Sequence, residues 1–191
     1  LDNIYNADYY YVKFFDVNNG VVICGYAKSN DTNESSRIYK TSNGGESWET
    51  VGSGPATNII KGVVYVTADV GFFCYDYVDG MDSNLYKTDD GGKTFAKVIL
   101  DAQELDSSAA NSQNQESSSK ADGTSVTSET TEQLKWNDVY KEALVPVADS
   151  TGIITIYLTQ GKNGVYNDGK TAAKYQSSDN GSTWKYIGQL E

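Results

Sequence analysis

The sequence predicts an all-β chain: about three repeated four-stranded antiparallel units, interrupted by one flexible insertion. Three observations predict it. An octapeptide recurs three times without gaps. Each copy lies between two short strand-like runs, which reads as a β-hairpin. No segment carries the 3.6-residue apolar period of an amphipathic helix.

The octapeptides are Thr41–Trp48 (TSNGGESW), Thr88–Phe95 (TDDGGKTF) and Ser177–Trp184 (SSDNGSTW). Each has Ser or Thr first, Asp or Asn third, Gly fifth, Ser or Thr seventh and an aromatic residue eighth. The strand-like flanks are Arg37–Lys40 with Glu49–Gly52, Asn84–Lys87 with Ala96–Ile99, and Ala173–Gln176 with Lys185–Gly188. A second hairpin precedes each. Its strands are Tyr10–Asp16 and Val21–Ala27, Val63–Thr67 and Gly71–Tyr77, and Leu144–Ala148 and Gly152–Thr159. Two hairpins make a four-stranded unit of about 45–50 residues, the size of a β-propeller blade. The units are residues 1–52, 53–100 and 137–191, separated by an insertion at 101–136.

Spacing supports this division. Thr88 follows Thr41 by 47 residues (88 − 41), and Ser177 follows Thr88 by 89 (177 − 88). The excess coincides with Ala102–Lys135, rich in Ser, Thr, Gln, Asn, Glu and Ala. Such a composition buries too little apolar surface to offset the entropy of ordering, so it reads as flexible. A degenerate fourth unit is the alternative there.

Each octapeptide is a turn device. Asn43, Asp90 and Asp179 supply an oxygen that can accept nearby backbone N–H groups. Gly45, Gly92 and Gly181 permit the positive φ that tight turns require. The hydroxyls of Thr41, Ser47, Thr88, Thr94, Ser177 and Thr183 can bond local backbone. Trp48, Phe95 and Trp184 supply apolar bodies to the core.

These segments resemble Asp boxes, also called BNR repeats, as found in sialidase-like and photosystem-assembly-factor-like β-propellers. The third box matches the Ser-x-Asp-x-Gly-x-Thr-Trp pattern at every fixed position. The second has Phe95 for Trp, and the first has Asn43 for Asp and Ser47 for Thr. The resemblance implies propeller-type blades, with the box in the turn between the third and fourth strands and away from the ligand-binding face. It marks the box residues as structural and assigns no catalytic residue.

Composition excludes several functions. There are 15 basic and 26 acidic side chains, for a formal net charge of −11, and no His. A Ser-His-Asp triad and an imidazole metal site are therefore excluded. The acidic balance argues against nucleic acid, which is bound by neutralising phosphates. No apolar run approaches the roughly 18 residues needed to span a bilayer. Arg37 is the only arginine. The resemblance implies three arginines at a sialidase site, so this chain cannot build one alone. No cofactor or metal site is expected. Asp76–Asp82 lacks the residue order of an EF-hand loop.

Other Asp-box glycoside hydrolases use two acidic residues, and such pairs stand about 5–10 Å apart. Asp69, Asp76, Asp79 and Asp82 are candidates, but nothing in the sequence places two of them across a cleft. The 15 tyrosines suit either strand packing or glycan and protein contact. Alternation puts Tyr9 and Tyr11 on one strand face and Tyr10 on the other. Cys24 and Cys74 fall in the second strand of their units, either bridged or as buried thiols. Sequons begin at Asn30 and Asn33.

Propellers typically have four or more blades. Three leave open faces, pointing to self-association, a longer propeller or an open stack. The missing start Met favours an excerpt of a longer chain. The reading leans to a non-catalytic binding module for a glycan or a protein partner, on a secreted or surface protein of a Gram-positive-like bacterium. The alternative is a fragment of an Asp-box glycoside hydrolase.

Overall fold

A computed structural model describes residues 7–26, 35–55, 59–103, 135–162, 164 and 166–190. The asparagines of both sequons and residues 104–134 of the insertion lie outside the described residues. Three antiparallel sheets follow one another along the chain. Sheet 1 has the order β1 (Tyr9–Phe14), β2 (Gly20–Tyr26), β3 (Ser35–Thr41), β4 (Glu49–Ser53). Sheet 2 has β5 (Ile60–Tyr65), β6 (Gly71–Tyr75), β7 (Leu85–Thr88), β8 (Ala96–Lys97). Sheet 3 has β9 (Glu142–Ala143), β10 (Val147–Ala148), β11 (Ile154–Thr159), β12 (Ala172–Ser177), β13 (Lys185–Leu190). The fold is all-β, and none of the three sheets closes on itself.

Two local features depart from the simple repeat. In sheet 3, β9 and β10 both pair with β11, so the first strand is split. The break contains Pro146, which has no N–H to give a ladder. A short helix, α1 (Trp136–Val139), precedes β9 with Trp136 and Val139 buried. Four residues are too few to show a helical period.

The sheets stack face to face with sheet 2 in the middle. Register fixes the sides, because directly paired residues share a face. Val21, Ile23 and Ile38 of sheet 1 pack on Val63, Tyr65, Phe73 and Tyr75 of sheet 2. The other face of sheet 2 carries Phe72, Cys74, Leu85 and Val98, which meet Ala143, Ile154 and Ile156 of sheet 3. Strand β6 is therefore buried on both sides, and its run Phe72-Phe73-Cys74-Tyr75 is apolar without alternation, as double burial requires. Phe72 and Phe73 are both 0% exposed; burying one such ring is worth about 1.5–3 kcal/mol. The core continues into Trp136 and Val139 of α1 and Tyr140 just after it, against Ala173 and Tyr175.

Asn84 ties sheet 2 to sheet 3. Its Nδ2 donates to the carbonyls of Tyr75 (2.7 Å) and Ala143 (2.9 Å), and its Oδ1 accepts the Ala143 N–H (2.8 Å). The carboxamide thus pairs with the Ala143 peptide on the edge of β9 as a neighbouring strand would. Asn84 is 1% exposed.

Candidate functional site

The octapeptides form the turns β3–β4, β7–β8 and β12–β13, and they share one hydrogen-bond pattern. In the second, Asp90 Oδ1 accepts the N–H of Lys93 and of Thr94, both at 2.9 Å, and Oδ2 accepts the Thr94 hydroxyl at 2.6 Å. Thr88 Oγ1 accepts the Gly92 N–H at 2.8 Å and donates to Asp90 at 2.9 Å. The third repeats this through Asp179, Ser177 and Thr183. In the first, Asn43 Oδ1 accepts the Ser47 N–H at 2.9 Å, and its Nδ2 donates to the Ser47 hydroxyl at 2.8 Å. An amide serves there because one oxygen suffices and the second contact can reverse its polarity. Gly45, Gly92 and Gly181 have φ of 92°, 105° and 76°.

These bonds act on the carboxyls. Donation by Thr94 to Asp90, and by Thr183 to Asp179, holds both groups well below the usual carboxylate range. Asp16 and Asp149, which cap the β1–β2 and β10–β11 turns, are also held low, led by side-chain bonds from Asn19 and Thr151. Among the described residues, the acids held away from their ordinary range, Asp16, Asp90, Asp149 and Asp179, all serve as turn caps.

The fifth-position glycines also admit the preceding sheet. A Cβ on Gly92 would lie 2.6 Å from Ile38 Cδ1 in sheet 1, and one on Gly181 would lie 2.6 Å from Phe72 Cζ in sheet 2. Of the closing aromatics, Trp184 meets Phe72 of the preceding sheet edge-on at 6.0 Å. Phe95 meets Phe73 of its own sheet edge-on at 4.9 Å and packs against the core shared with sheet 1. Trp48 meets Phe14 of its own sheet at 6.1 Å.

A cleft opens at the opposite end of the sheets, between sheets 2 and 3. Its volume is about 460 Å³, within the usual range for small-molecule sites. The β6–β7 loop contributes Asp76, Tyr77 and Asp79 to it. Asp138 of α1, with Lys141 and Glu142 at β9, lines it as well, and the β11–β12 loop adds Gln160, Lys162 and Tyr166. Gln160 is pinned, its Nε2 to the Tyr166 carbonyl (2.8 Å) and its Oε1 to the Tyr166 N–H (2.9 Å). A second hollow of about 530 Å³ shares Tyr77 and Lys141 with it and reaches Met81 and Tyr140. Burial, then the charges of Asp79 and Asp82, raise the Tyr77 phenol.

The four carboxylates considered from sequence separate. Asp76 and Asp79 reach the cleft, with Asp76 paired to Lys61 at 2.6 Å. Asp82 lies at the second hollow, paired with Lys97 at 3.0 Å. Asp69 stands at the octapeptide end beside Lys40. The elements of sheet 3 bring Asp138 and Glu142 to the same cleft. Sequence reasoning missed both, since nothing local marks them. Among the described residues, no group of three or more His, Cys, Asp or Glu could hold a metal ion. Cys24 and Cys74 are buried and unbridged. Burial raises both thiols, Cys74 up to about 12. Tyr11 stacks toward Tyr65, whereas Tyr10 lies on the other side of β1, 48% exposed.

Among the described residues no helix is long and apolar enough to cross a membrane. No protein-family model matches the chain, and no curated protein matches it.

Proposed function

We propose that this chain is a non-catalytic module of Asp-box, β-propeller-type repeats that binds a glycan, on a secreted or surface protein. The observation that carries the reading is the cleft between sheets 2 and 3, at the end away from the three octapeptide turns. Loops at one end of a rigid sheet scaffold are a common place for binding residues. The lining suits a polyhydroxylated ligand. The Asp79 and Asp138 carboxylates can accept hydrogen bonds from hydroxyls and the Lys162 ammonium can donate to them, and the Tyr77 ring offers a flat apolar face with a polar tip. The third-position side chains are engaged in their own loops, which supports a purely architectural role for Asn43, Asp90 and Asp179.

The test is binding of a panel of neutral and acidic oligosaccharides by calorimetry, with Tyr77→Ala and Asp138→Asn variants checked for an unchanged melt. Binding that weakens about tenfold or more in Tyr77→Ala supports the reading, at roughly 1.4 kcal/mol per tenfold. Absence of binding across the panel, or binding indifferent to both variants, overturns it.

A second reading has its own observation. Asp76 and Asp79 from sheet 2 share the cleft with Asp138 and Glu142 from the sheet 3 side. Paired carboxylates are the requirement of a glycosidase. Turnover of any glycan by the purified chain, abolished by Glu142→Gln or Asp79→Asn, would establish the enzyme in place of the binding module.

A further inference from the structure

Two hollows meet at Tyr77 and Lys141, and their linings differ in kind. The cleft takes charged side chains from three segments, among them Asp79, Asp138 and Lys162. The second hollow, of about 530 Å³, shares Tyr77 and Lys141 with it. Leu85 and Val98 from the sheet 2 side and Leu158 of sheet 3 bring aliphatic surface to this hollow, as does Leu100. All four belong to the core between those sheets or pack against it. Ile99, 60% exposed, and the half-buried Met81 also line the hollow.

Most polar groups around the second hollow are already engaged. Asn84 is committed to the Tyr75 carbonyl and the Ala143 peptide. Ser83 Oγ donates to the Leu85 carbonyl at 3.3 Å and accepts the Leu85 N–H at 3.1 Å. The Tyr140 hydroxyl donates to Thr171 Oγ1 at 2.8 Å, and Asp82 is paired with Lys97. The remaining polar lining is Tyr77 and Lys141, shared with the cleft, and the exposed Asn137. A sugar placed here would give up hydrogen bonds to water with few partners to replace them, which is unfavourable. A hydrocarbon chain gives up none and gains from leaving water.

Resting on the glycan reading of the cleft, we infer that the second hollow binds an aliphatic substituent carried by the sugar in that cleft, so that the ligand is an alkyl- or acyl-substituted glycan. Continuity between the hollows selects this occupant. A sugar stacked on Tyr77 stands at the boundary of both, and a chain leaving it past Lys141 enters the aliphatic hollow directly.

The test is a titration of the full chain, followed by methyl NMR, with methyl, butyl and hexyl β-glycosides of glucose, galactose and N-acetylglucosamine below their micelle-forming concentrations. 1-Hexanol serves as the chain without a sugar. Each buried methylene tightens binding about three- to fourfold. The butyl glycoside should therefore bind about tenfold or more tighter than the methyl glycoside of the same sugar, and hexanol about tenfold or more weaker than the hexyl glycoside. The methyl signals of Leu100 and Leu158 should shift with the butyl glycoside and stay in place with the methyl glycoside, a readout that needs no variant. Ile99→Asp, with its melt unchanged, should remove the gain from chain length and leave methyl glycoside binding as it was. Equal affinity for methyl and butyl glycosides overturns the inference and leaves the glycan reading standing. Tighter butyl binding without shifts at Leu100 and Leu158 also overturns it, because the chain then lies elsewhere. Hexanol binding as tightly as the hexyl glycoside does the same, since the hollow would serve an apolar ligand of its own. If no glycoside of any chain length binds, the glycan reading itself fails and the inference falls with it.

Discussion

Replacing Asn84 tests the tie between sheets 2 and 3. Its carboxamide makes three hydrogen bonds of 2.7 to 2.9 Å to the Tyr75 carbonyl and both groups of the Ala143 peptide. Each such bond contributes about 1 kcal/mol net, and buried partners left unpaired carry a desolvation cost. Asn84→Ala should therefore destabilise by about 3 kcal/mol, which for a chain of this size lowers the melting midpoint by about 6–12 °C. Urea and thermal melts measure both. Asn84→Asp separates hydrogen bonding from packing. Its side chain has nearly the same volume, so a cavity account makes it milder than alanine. A carboxylate only accepts, and it would face two carbonyl oxygens where Nδ2 donated, so the hydrogen-bond account makes it at least as damaging. Burial and these carbonyls would raise its folded pKa above the usual value of about 4. The deficit of Asn84→Asp should then shrink as pH falls below that raised value. An Asn84→Ala cost under about 1 kcal/mol, or an aspartate variant milder than alanine at neutral pH, would refute the reasoning.

Other outcomes follow from the turns and the core. Gly181→Ala should cost about 1–2 kcal/mol more than Gly45→Ala. Both positions have positive φ, but only Gly181 meets a preceding sheet, through Phe72; equal losses in urea melts would contradict that account. The folded-state pKa of Asp90 and Asp179 lies below the unfolded 3.8. Their stabilisation is therefore present above about pH 4 and lost as pH falls through the lower folded values. Asp90→Asn with Asp179→Asn should flatten the loss of stability below pH 4, measured by urea midpoints from pH 2 to 7, because Asn43 shows that the turn tolerates an amide. Cys24 and Cys74 should resist Ellman's reagent at pH 8 in the native protein and react fully in denaturant, since burial raises both thiols.

The elements legible in the sequence were those specified locally. Turn residues at fixed offsets announced the hairpins, and their order announced three consecutive sheets. Features made by distant residues were not legible. Asn84 reads as an ordinary strand-start residue, and its role exists only because Ala143, 59 positions away, presents an unpaired peptide edge. Helix α1 is too short to carry a period, and Trp136 looked like the end of a polar insertion. The cleft combines Asp79 with Asp138 and Glu142, a juxtaposition set by how sheets 2 and 3 stack. Residues with perfect local signals, the octapeptides, lie at the other end.

Every strand pairing stays within its own sheet, and this bears on assembly in time. Each sheet is a run of neighbouring hairpins, so its ladder closes short loops and carries little of the delay that long-range pairing imposes on folding. A chain emerging from the ribosome can complete sheet 1 before sheet 2 has been made. The same modularity creates a hazard. Sheets with matching faces can dock in the wrong order or on a neighbouring molecule, the characteristic failure of repeat proteins.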